Sequence, residues 1–180
     1  MSAVRLIVAL AVLSGATALA ACGGATEDTA PLAGDLTLEQ ARAFEEFPLV
    51  YAGERVDGLP LVAIVRRDDT ADYVSFLYGD CRPPSPEGGC PPPAEIQVWP
   101  AGRRNLGSYD ASRGGSGPEL TTIRGSPAAF FDAGTRLEVY TAQLTVVVFA
   151  RSRERVGKIA DALRCVAEGG VDEPADNLVC

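Results

Sequence analysis

Four apolar runs crowd the stretch from Leu120 to Ala150, and they constrain the fold more than anything else in the chain. They are Leu120-Thr121-Thr122-Ile123, Ala128-Ala129-Phe130-Phe131, Thr135 to Tyr140 and Leu144 to Ala150, with Asp132-Ala133-Gly134 and Ala142-Gln143 as turns. Strands spaced this closely read as neighbours in a mostly antiparallel sheet. In the third run Leu137 and Val139 share one face while Arg136, Glu138 and Tyr140 share the other, which predicts a half-exposed strand. The fourth run is apolar on both faces and predicts a central strand. Ser152 then caps a helix in which Val156, Ile159, Ala160 and Leu163 recur at i, i+3, i+4 and i+7, a stripe that must lie on the sheet.

The first half of the chain adds to the same sheet. Thr37 and Gln40 have capping-box spacing, and Leu38, Ala41 and Phe44 follow at helical intervals, so a short helix is expected from Leu38 to Glu46, before Pro48. Leu61 to Val65 and Tyr73 to Tyr78 read as a hairpin across the charged connection Arg66 to Asp72. Glu95-Ile96-Gln97-Val98-Trp99 alternates polar and apolar side chains, the period of a half-buried strand. The fold class is therefore α+β: a mostly antiparallel sheet of seven or eight strands, with the C-terminal helix and the short N-terminal helix on one face.

The N-terminus is a different kind of segment. Arg5 precedes the apolar run Leu6 to Leu13, too short to span a bilayer, and small residues lead to Leu19-Ala20-Ala21-Cys22. Those four residues resemble the lipobox of bacterial lipoproteins. The resemblance implies a signal peptide over residues 1–21, diacylglyceryl transfer to the Cys22 sulfur, cleavage before Cys22, and a chain held on the outer side of the cytoplasmic membrane by that anchor. Residues 22–36 read as the lipidated cysteine and a small, acidic tether, and 37–180 as one domain, about the length that one hydrophobic core supports. The net charge of −8 speaks against nucleic acid as a partner and against further electrostatic attachment to anionic lipid.

With Cys22 lipidated, four of the five cysteines remain, and an even number in an exported chain reads as two disulfides among three possible connectivities. Cys81 and Cys90 bracket a short proline- and glycine-rich loop. Counting about 100° per residue puts Cys165 on the helix side opposite Val156, which favours Cys180, in the acidic tail, as its partner. A four-thiolate zinc site lacks any Cys-x-x-Cys pair.

The absence of histidine removes Ser-His-Asp and Cys-His catalysis and histidine metal sites within this chain. Lys158, the only lysine, sits among Arg153, Glu154 and Arg155 on a charged helix face rather than beside a serine. Asp68, Asp69 and Asp72 lack the pattern of a calcium loop and read as a solvated turn. Gly114-Gly115-Ser116-Gly117 carries no Gly-Lys-Ser/Thr and leads into no helix. Arg103, Arg104 and Arg113, in the long loop from Gly102 to Pro118, are the candidate ligand or anion contacts. Trp99, Tyr51, Tyr73, Tyr78 and Tyr140 are candidates for lining an apolar pocket or for cross-strand packing. No cofactor, metal or catalytic set is expected.

Ile123-Arg124-Gly125-Ser126-Pro127-Ala128-Ala129, followed by strands and a helix ending Ala160-Asp161-Ala162-Leu163, resembles a pattern in uncharacterised extracytoplasmic domains of high-GC Gram-positive bacteria. Some of these are similar in architecture to lipoprotein-carrier and lipid-transfer proteins, which implies an apolar cavity between sheet and helix. The expected function is thus a lipid-anchored, non-catalytic binding or surface domain with a protein or small-molecule partner. The alternatives are a carrier of an apolar or amphipathic small molecule and, behind it, a carboxylate-based hydrolase.

Overall fold

The computed structural model describes residues 33–68, 70–81, 91–104, 117–166, 178 and 180. Residues 1–32, with Cys22 and the segment expected to be a signal peptide, and Asp69, Cys90 and Arg113 lie outside the described residues. The elements in chain order are β1 (Ala33–Gly34), α1 (Leu38–Arg42), β2 (Val50–Tyr51), β3 (Arg55–Val56), β4 (Leu59–Arg67), β5 (Tyr73–Tyr78), β6 (Ala94–Pro100), β7 (Glu119–Ile123), β8 (Ser126–Phe131), β9 (Arg136–Tyr140), β10 (Leu144–Ala150), α2 (Arg153–Ala162) and β11 (Arg164–Cys165).

The main sheet runs β1-β4-β5-β6-β10-β9-β8-β7, with β3 paired to β4; the α+β expectation holds, with nine strands in the sheet rather than seven or eight because the two-residue strands β1 and β3 join it. Two meanders, β4-β5-β6 and β7-β8-β9-β10, meet where β6 and β10 pair over their full length, from Leu144 opposite Pro100 to Ala150 opposite Ala94. The central position of β10 explains its apolar character on both faces: Val146 and Val147 point to opposite sides and neither is exposed. All ladders are antiparallel except β1 with β4. That pair draws Ala33 and Gly34, read above as tether, into the sheet, and Asp35 extends the attachment by accepting from the Arg66 amide at 3.0 Å.

Side chains at every second position build one core under α2. Val74, Phe76 and Tyr78 of β5, Ile96 and Val98 of β6, Val146 and Val148 of β10 and Leu137 and Val139 of β9 meet the helix stripe Val156, Ile159, Ala160 and Leu163. All four stripe residues are fully buried, and each large one stabilises the fold by roughly 1.5–3 kcal/mol. The stripe is packed rather than hollow. Ser152 accepts from the Arg155 amide at the N-terminus of α2. At the other end Arg124 donates to the carbonyls of Leu163 and Asp161. Arg124 and Gly125 form the two-residue turn between β7 and β8, both with positive φ, so the Arg-Gly pair both reverses the chain and caps the helix.

Three sequence expectations need correction. The first helix stops at Arg42 rather than Glu46, because Ala43 leaves the helical region and Phe44 turns to meet Phe47 edge to face at 5.0 Å. Cys165 is not on α2: the helix ends at Ala162, and Cys165 pairs with Val50 in the small β2–β11 sheet. Its disulfide to Cys180 nevertheless forms, and Leu178 is fully buried in the core. A loop of that span stabilises by about 3 kcal/mol through the unfolded chain. Cys81 is disulfide-bonded. Finally, the half-exposed face of β9 holds at Arg136 and Tyr140, which are partly exposed, but Glu138 between them is fully buried. No helix among the described residues is long and apolar enough to cross a membrane.

Candidate functional site

The face of the sheet away from α2 carries a polar and aromatic network. Tyr73 stacks on Trp99 with ring centroids 4.4 Å apart, and Trp99 donates to Gln97, Gln97 to Glu95, and the Ser75 hydroxyl to Glu95. Across β10, Glu138 accepts from both the Nε and a terminal nitrogen of Arg104 and from the Tyr140 hydroxyl at 2.8 Å, with Arg136 at 3.8 Å. The Arg104 guanidinium lies 5.1 Å over the Trp99 ring. A carboxylate taken out of water needs such compensation, and two guanidiniums and a phenol supply it here. The carboxylate groups of this face are therefore engaged with neighbours.

The candidate residues named from sequence distribute accordingly. Arg104 is tied to Glu138, and Arg103 pairs with Asp72 at 3.3 Å, so both guanidiniums are directed at carboxylates of the sheet and its hairpin. Asp72 also receives Arg66 at 2.8 Å, which makes the acidic turn a clamp between hairpin ends. Tyr51 and Tyr78 are core residues, and the Tyr78 hydroxyl accepts from the Ala52 amide and donates to the Gly53 carbonyl. Lys158 bridges Glu154 and Asp57 on the surface of α2.

A cleft of about 610 Å³ opens at one end of the sheet, where β4 begins, β5 and β10 finish and β6 begins. Leu59, Pro60, Val62 and Pro93 give it apolar walls, Gly79 and Asp80 leave β5 into it, and Arg151 and Arg155 enter from the β10–α2 corner. Its shape depends on Gly79. With φ +123°, a Cβ there would stand 2.5 Å from Pro93 Cδ, so only glycine lets the end of β5 pass this close to the start of β6. A bulge between Leu61 and Ala63 turns Val62 toward the second face, beside Leu77.

The charges of the cleft differ from those of the network. Arg155 is held by Asp57, whose position in the β3–β4 turn follows from the positive φ of Asp57 and Gly58. The Arg155 hydrogen bond, reinforced by Lys158, holds the Asp57 carboxyl below its ordinary value, and Lys158 is raised by Glu154 and Asp57. Asp80 and Arg151 are different: both are exposed, and neither has a hydrogen-bond or ion-pair partner among the described residues. One carboxylate and one guanidinium thus line a partly apolar cleft with no partner among the described residues.

No sequence motif announced this place. Its lining comes from four separate segments, and Asp80 and Arg151 read singly as polar residues at strand ends. Only the register that aligns Leu61, Tyr78, Ala94 and Ala150 across adjacent strands brings them together. Comparison with known proteins adds no name to the site: no family model, no curated protein and no solved structure matches the chain.

Proposed function

We propose that the protein is a lipid-anchored, extracytoplasmic, non-catalytic binding domain, and that the cleft at the strand ends is where it takes its ligand. The observation that carries this reading is the contrast in charge satisfaction. On the face of the sheet away from α2, Glu138 and the half-buried Glu95 are engaged by arginines, tyrosine, serine and glutamine, an arrangement that stabilises and orients. In the cleft, Asp80 and Arg151 keep their capacity for an outside partner. The volume falls in the range of small-molecule sites, and the mixture of apolar walls with a few polar groups is the usual composition of one.

The anchor part of the reading rests on Leu19-Ala20-Ala21-Cys22, and the Cys165–Cys180 disulfide fits an oxidising compartment. Carriage of an apolar molecule between sheet and helix would need space where Val156, Ile159, Ala160 and Leu163 pack.

The test is a native mass spectrum of the full chain extracted from its own membrane in mild detergent, beside a denatured one. The expected result is a noncovalent adduct lost on denaturation, on a chain whose covalent mass begins at a diacylglyceryl-modified Cys22. An unmodified Cys22 removes the anchor, and a bare native chain removes the binding function.

A further inference from the structure

We infer that the cleft recognises a zwitterion with an apolar body, of the kind represented by a short apolar peptide with free ends. The inference rests on the binding function proposed above and specifies its ligand class. Asp80 offers an acceptor-only carboxylate for an ammonium group, and Arg151 offers a planar set of donors for a carboxylate. Arg155 is already paired with Asp57, so among the described residues the open charges of the cleft are one negative and one positive. A dianion would meet Arg151 but also the uncompensated Asp80, and a dication the reverse; a molecule carrying one charge of each sign satisfies both. Between them Leu59, Pro60, Val62 and Pro93 provide apolar contact but few donors or acceptors, which suits aliphatic side groups. The size of the cleft suits a drug-sized ligand more than a single amino acid.

The selectivity is decided by which end of the ligand is capped. Calorimetric titration of the full chain in detergent micelles would use three probes: leucyl-leucine, its N-acetyl derivative and its C-terminal amide. Leucyl-leucine is expected to bind tightest, and either cap to weaken binding about tenfold or more, the effect of losing one charge-assisted contact. Asp80→Asn then weakens leucyl-leucine and the amide but leaves the N-acetyl derivative unchanged. Arg151→Gln does the opposite. Both side chains are exposed, so the variants keep the fold, as circular dichroism would verify.

If the N-acetyl derivative binds as tightly as leucyl-leucine and Asp80→Asn changes nothing, the site takes anions and the zwitterion assignment is overturned. If none of the probes binds while the membrane-extracted chain carries an adduct that Asp80→Trp lacks, the ligand class falls but the binding function stands. If there is neither probe binding nor adduct, both fall.

Discussion

Replacing Glu138 by glutamine keeps the size of the side chain and removes its charge, and the structure sets the consequence. The Glu138 carboxylate is fully buried, whereas the Arg104 and Arg136 side chains beside it retain 21% and 20% of their exposure. Breaking a buried pair by removing one partner costs about 3–5 kcal/mol, and the partial hydration of both arginines brings the expected loss to roughly 2–3 kcal/mol. For a domain of this size that is a fall in Tm of about 5–10 °C. Urea unfolding followed by Trp99 fluorescence measures it directly, since Trp99 is the only tryptophan and the Arg104 guanidinium lies over its ring. The double variant Glu138→Gln with Arg104→Gln should recover part of the loss, giving a coupling energy of roughly 1–2 kcal/mol. A single-variant loss below about 0.5 kcal/mol, the size of a screened surface pair, would refute the reasoning, because it would mean that water reaches the carboxylate.

Other consequences follow from single contacts. Tyr78→Phe leaves the Ala52 amide and the Gly53 carbonyl without their buried partner, and equilibrium unfolding should show a loss of about 2–3 kcal/mol. Gly79→Ala forces a Cβ into Pro93 at a positive φ, so thermal unfolding should register a cost of roughly 2–4 kcal/mol, where a substitution at the open Gly117 leaves Tm nearly unchanged. The Asp57 carboxyl, read by carbon NMR, should titrate below its ordinary 3.8, because Arg155 and Lys158 favour its charged form. A group depressed in the folded state contributes stability above its unfolded pKa and loses that contribution as pH falls through its folded pKa. The Asp57 contribution is therefore constant from neutral pH down to about pH 4 and fades below it, and Asp57→Asn should flatten that part of the acid limb.

Local periodicity alone makes most of the fold legible. The stripe from Val156 to Leu163, the two-sided apolar run of β10 and the capping box at Thr37 and Gln40 each carry their structural meaning in residue spacing. Glu138 shows the limit of such a reading. Alternation placed it on the face away from Leu137, which is correct, but whether that face is dry depends on Arg104, 34 residues away in sequence, and on the β6–β10 pairing that joins the two meanders. Cys165 shows another: helical counting ran past Ala162, where Leu163 takes extended angles and hands the chain to β11. The cleft was the least legible part. Asp80 and Arg151 belong to different strand ends, and their relation exists only after the ladder is registered. The same is true of Arg103 and Arg104, whose pairing with Asp72 and Glu138 joins residues more than 30 positions apart.

A crystal structure of the chain purified from the cells that make it tests the central claim most directly. The account predicts density for a bound molecule in the cleft, touching Asp80 and Arg151 and resting on Leu59, Val62 and Pro93. A ligand found instead on the opposite face beside Trp99 and Tyr73, or between α2 and the sheet, would contradict it.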